Sequence, residues 1–139
     1  MKRLIFWLVA LAIIALLAAM LLPVSGPRPA LNVECRFHLS DLEIAITNYQ
    51  VAYTNYPAGN HSEIIKCLLG DNPKRIQFIN INSNNLSSNV EYLDPWKTPY
   101  AINFHSNNRF IISSAGKDKK FGDADDIIFN SASNDFVKP

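Results

Sequence analysis

Nineteen consecutive apolar residues, Leu4 to Leu22, run without a charge or a helix breaker. As a helix this run is about 28 Å long, close to the hydrocarbon thickness of a bilayer. A core helix of that length normally carries a polar face, and this one has none. The segment therefore reads as a membrane span or a signal peptide. Lys2 and Arg3 precede it, which predicts a cytoplasmic N-terminus with the remainder translocated. The following PVSGPRPA offers poor cleavage sites: a cut after Gly26 meets Pro27, and a cut after Ala30 finds Arg28 where a small residue is needed. The expectation is a retained single-pass anchor over residues 1–23, a Pro-rich hinge over 24–30 and one globular domain over 31–139.

Past the hinge, Leu31, Cys35, Leu39, Leu42, Ile46, Tyr49 and Tyr53 recur every three or four residues, one apolar stripe on a helix of about six turns. Ser40 and Glu43 resemble a capping box, but the stripe passes through them in phase, so no helix start is expected there. Pro57 and Gly59 close the element. A short second helix is predicted from Asn60 and Glu63, with Ile64, Cys67 and Leu68 inward and Gly70 and Pro73 ending it. Alternation predicts a strand over Arg75–Ile81, the Asn- and Ser-rich stretch after it a loop, and PYAINFH with RFIIS a hairpin turning at Ser106, Asn107 and Asn108. Ile127, Ile128 and Phe129 form a closing strand, and Trp96 is expected to cover the core. The layout is α+β: a long amphipathic helix packed on a small antiparallel sheet.

A net charge of +1 gives no footprint for nucleic acid. His38, His61 and His105 lack ligand spacing and read as surface or packing residues, and no nucleophile motif or phosphate-cradling glycine loop occurs. No catalysis and no small-molecule substrate are expected. Cys35 and Cys67 are the only cysteines. A disulfide and two buried free thiols both remain open.

Three stretches resemble the type IV pilin class, and specifically the major pseudopilin family of type II secretion. AIIALLAAMLLP (Ala12 to Pro23) is similar to the end of the hydrophobic pilin helix. DPWKTPY (Asp94 to Tyr100) is similar to the turn that enters the family's hairpin. SAGKDKKFGDADDI (Ser114 to Ile127) resembles its acidic loop. The resemblance implies a structural subunit or accessory of a secretion or pilus-like assembly in the inner membrane. Its domain would be periplasmic, and its partners other pseudopilins or inner-membrane components of the secretion system. Aligned on Pro23, Met1 stands where the class has its leader Gly, Lys2 where it has Phe, and Phe6 where it has a membrane Glu. An intramembrane acid is costly and kept for function. Phe6 therefore opens a second expectation, an anchored domain that kept the fold, does not polymerise and binds another envelope protein.

Asp118, Asp123, Asp125 and Asp126 crowd one loop. Carboxylates this close repel unless donors or a cation intervene, and an oxygen-only set favours Ca²⁺. The alternative is a solvated turn in which Lys117, Lys119 and Lys120 pair with the acids. The resemblance implies calcium, with Asp118, Asp125 and Asp126 as side-chain ligands. The Ala115 carbonyl and Asp123 are further candidates, and Lys119 stands where the family often has Gly.

Overall fold

The computed structural model describes residues 30–106 and 108–137. The expected anchor, and the hinge up to residue 29, lie outside the described residues. Among those described, no helix is long and apolar enough to cross a membrane.

Helix α1 spans Leu31–Tyr53 and buries Cys35, Leu39, Leu42, Ala45, Ile46 and Tyr49, the centre of the predicted stripe. The ends of the stripe behave differently: Leu31 is exposed and Tyr53 half-buried. The helix runs unbroken through Ser40, as the phase of the stripe requires. It stops before Pro57 because Thr54 turns left-handed at φ 63° and donates its N–H to the Gln50 carbonyl. Helix α2 spans His61–Leu68 behind the expected capping box, in which Asn60 Oδ1 accepts from Glu63 N–H (3.0 Å) and Glu63 Oε2 from Asn60 N–H (2.7 Å). Its buried face is Ile64, Ile65 and Leu68, while Cys67 is only half-buried.

Residues 75–81 are not a strand. Their backbone groups are claimed elsewhere. Phe78 N–H donates to the Leu68 carbonyl (2.8 Å), and the buried Asn72 side chain binds both the N–H and the carbonyl of Ile76. Arg75 sits at φ 52°, off the extended region. The side-chain alternation is nonetheless real, since Ile79 and Ile81 both enter the core.

The sheet is a four-stranded antiparallel meander, β1 (Ala101–His105), β2 (Arg109–Ser114), β3 (Ile127–Asn130) and β4 (Asp135–Val137), in that spatial order. Strand β4 was not expected. It is three residues long and pairs Phe136 with Phe129 in register. Phe110, Ile112, Ile127 and Phe129 face Leu39, Leu42 and Ile46 of α1 across one core, which Trp96 flanks half-buried. Each such side chain, fully buried, contributes about 1.5–3 kcal/mol.

Both cysteines are free. Cys35 accepts from Tyr100 OH at 3.7 Å, whereas Cys67 lies beside Tyr49. Cys35 and Tyr49 share helix α1, so a 14-residue separation puts the two thiols' neighbourhoods about 21 Å apart. That is far beyond disulfide reach. His38 and His61 are packing residues: His38 Nδ1 lies 3.0 Å from Tyr100 OH, and His61 Nε2 accepts Tyr92 N–H at 3.2 Å.

Candidate metal-binding loop

The hairpin entry and the loop after β2 meet at a buried carboxylate. Asp94 is fully buried, and its Oδ1 accepts the N–H groups of Trp96 (3.0 Å) and Thr98 (2.8 Å), closing the Asp-Pro-Trp turn. Its Oδ2 accepts the Ser114 hydroxyl at 2.6 Å. Ser114 Oγ in turn accepts Gly116 N–H at 3.1 Å, so the first residues of the acidic loop are tied to the turn. Asp94 and Ser114 were legible only as parts of motifs; nothing in the residue spacing announced the bond between them.

Every aspartate of the loop braces backbone. Asp125 Oδ2 accepts from Lys117 N–H (2.7 Å) and Asp118 N–H (3.1 Å). Asp118 Oδ1 accepts from Lys120 N–H, Asp123 Oδ1 from Asp125 N–H, and Asp126 Oδ2 from Gly122 N–H. Gly116 adopts φ +65°, and an added Cβ would lie 2.3 Å from the Asp125 carbonyl oxygen. Only glycine lets the strand exit pass this close to Asp125.

This bracing draws Asp118, Asp123 and Asp125 together: each offers a carboxylate oxygen, all within 4.8 Å of one another. The interaction between the adjacent Asp123 and Asp125 carboxyls pushes Asp123 up from the ordinary carboxylate value and holds Asp125 below it. Asp126 is not in that group. It is 8% exposed, and its Oδ1 is a buried acceptor without a partner among the described residues, an arrangement costing about 1–3 kcal/mol if nothing meets it. Ala115 is fully buried at the strand exit. The lysines do not pair with the acids: among the described residues the one contact of that kind is His38 Nε2 with Glu34 Oε1 at 3.9 Å, an ion pair only when His38 is protonated. Calcium–oxygen bonds of 2.3–2.6 Å put ligand oxygens up to about 5 Å apart across an ion, so the spacing and the oxygen-only donors of Asp118, Asp123 and Asp125 suit a hard cation of that size. Beside the loop, Trp96, Arg36, Lys117, Asp125, Asp126 and Phe136 line a cavity of about 750 Å³.

The family model described as type II secretion system protein G matches residues 26–130 of the chain. The chain belongs to that family. The matched range holds both helices, the Asp94 turn, the acidic loop and strands β1 to β3, while β4 lies beyond it. Two helices on a four-stranded antiparallel sheet fit the pilin-like fold of a pseudopilin. No curated protein and no solved structure matches the chain.

Proposed function

We propose that this pseudopilin-family chain is a structural subunit or accessory of a type II secretion or pilus-like assembly, held by residues 1–23 in the inner membrane. Its N-terminus is cytoplasmic and residues 31–139 lie in the periplasm, where the acidic loop takes up Ca²⁺ as a structural ion. Asp118, Asp123 and Asp125 supply side-chain oxygens, Asp126 brings the orphaned Oδ1, and the Ala115 carbonyl completes the set. Its partners are other pseudopilins or inner-membrane secretion components, and the chain carries out no catalysis. The observation that supports this reading is the family match across the Asp94 turn and the loop together. Phe6, in place of the class's membrane acid, favours a second reading: an anchored domain that does not polymerise and binds another envelope protein. Crosslinking of the full chain in cells separates the two. Ladders containing pilin-class neighbours are the expected result, and recovery of monomer alone, or of a single unrelated envelope protein, refutes the assembly role.

A further inference from the structure

A fully buried carboxylate costs free energy unless its oxygens are satisfied, and Asp94 accepts three hydrogen bonds at one join. Two come from N–H groups of its own turn, and the third from the Ser114 hydroxyl on the neighbouring strand, twenty residues away. Ser114 is also fully buried, and the same oxygen holds Gly116 N–H. Gly116 is pressed against Asp125, whose Oδ2 gathers the N–H groups of Lys117 and Asp118. An unbroken chain of contacts therefore runs from the turn to two of the carboxylates that converge in the loop.

We infer that Asp94 is a positioning residue for the acidic loop, acting through Ser114, so that the turn at residues 94–98 helps set the loop's affinity for its ion. The inference rests on the calcium reading. Residues behind the direct ligands hold those ligands in place, and their loss weakens metal sites by 10–100-fold. Neither Asp94 nor Ser114 belongs to the group that meets the ion, so their effect comes through the Gly116 backbone and Asp125. Coupling of this kind is reciprocal. Ion binding must then stiffen the turn, and Trp96, whose N–H is held by Asp94 at 3.0 Å, reports it from the wall of the cavity it shares with Asp125 and Asp126.

The test uses the full chain in detergent micelles with Trp7→Phe, which leaves Trp96 as the one indole. Ca²⁺ is titrated by calorimetry and by Trp96 emission, alongside the melting of the metal-free protein. Ser114→Ala removes the link and leaves every loop carboxylate in place. It is expected to weaken Ca²⁺ binding on the order of tenfold and to shrink the calcium-dependent change in Trp96 emission. Asp94→Asn, which takes away the acceptor for the Ser114 hydroxyl, acts in the same direction, while Asp71→Asn, exposed and outside the loop, changes neither. Lower melting of Ser114→Ala with wild-type affinity and emission response makes Asp94 and Ser114 merely structural and overturns the inference. Should Asp94→Asn not fold, Ser114→Ala decides alone. Absence of Ca²⁺ binding by the parent protein overturns the calcium reading itself, and the inference with it.

Discussion

Gly116→Ala measures how tightly the loop is wound on Asp125. The residue sits at φ +65°, where an L side chain costs about 1–2 kcal/mol. The new Cβ would stand 2.3 Å from the Asp125 carbonyl oxygen, 2.8 Å from its carbonyl carbon and 2.7 Å from Oδ2. Two of those atoms are backbone and cannot swing aside, so the loop itself must shift. The bonds at risk are those from Lys117 and Asp118 N–H to the Asp125 carboxylate. Forcing such a backbone shift with an inserted methyl costs about 1–3 kcal/mol, which together with the dihedral cost gives about 2–5 kcal/mol. Gly122→Ala is the matched control, with φ +102° and nothing within 4 Å of the added Cβ, so only the dihedral cost of about 1–2 kcal/mol applies. For a domain of this size 1 kcal/mol moves the midpoint by about 4 °C. The dihedral cost being common to both, thermal unfolding of the full chain in detergent with a chelator present should therefore put Gly116→Ala about 4–12 °C below Gly122→Ala. Equal midpoints would refute the close packing of strand exit and Asp125.

Chelation should lower the melting midpoint of the parent protein and leave Asp125→Ala unmoved: with free Ca²⁺ at 1 mM and a dissociation constant near 10 μM, the ion adds about 2.7 kcal/mol. Identical parent curves with and without chelator would exclude a structural ion. In metal-free protein the stability should fall as pH drops from about 7.5 to 5. Burial, outweighing the attraction of Glu34, lowers the His38 pKa in the folded state, so protons prefer the unfolded chain below about pH 6.5 and the stability present above that value is lost. His38→Gln should flatten the slope of midpoint against pH, and an unchanged slope would show that His38 does not cause it.

Where side chains decide burial, the sequence was readable. The stripe from Cys35 to Tyr49 is buried because its three- and four-residue spacing leaves one helix face no other use. The Asn60 box starts α2 for the reason its residue types suggest, two orphan donors met reciprocally. Residues 75–81 misled because alternation reports which side chains point inward and is silent on where the N–H groups go. Asn72 and the end of α2 took those groups, and a buried asparagine looks like any other in a polar stretch. Strand β4 escaped notice for a related reason: three residues are too few to set a period, and Phe136 is placed by its partner Phe129.

The acidic loop marks the same boundary more sharply. Its composition announced crowded carboxylates, and Asp118, Asp123 and Asp125 do converge. Which oxygen each turns inward was not legible, because local donors settle that: Asp126 commits Oδ2 to Gly122 N–H and leaves Oδ1 without a partner among the described residues. Nor was the support beneath the loop legible, since the Asp94–Ser114 bond joins residues that neither period nor spacing relates. Two of the motifs that carried the family resemblance, the Asp-Pro-Trp turn and the acidic loop, are thus one object in space. A single buried carboxylate binds them, so a substitution at Asp94 should be felt at the loop even though no residue of the turn lies in the converging carboxylate group.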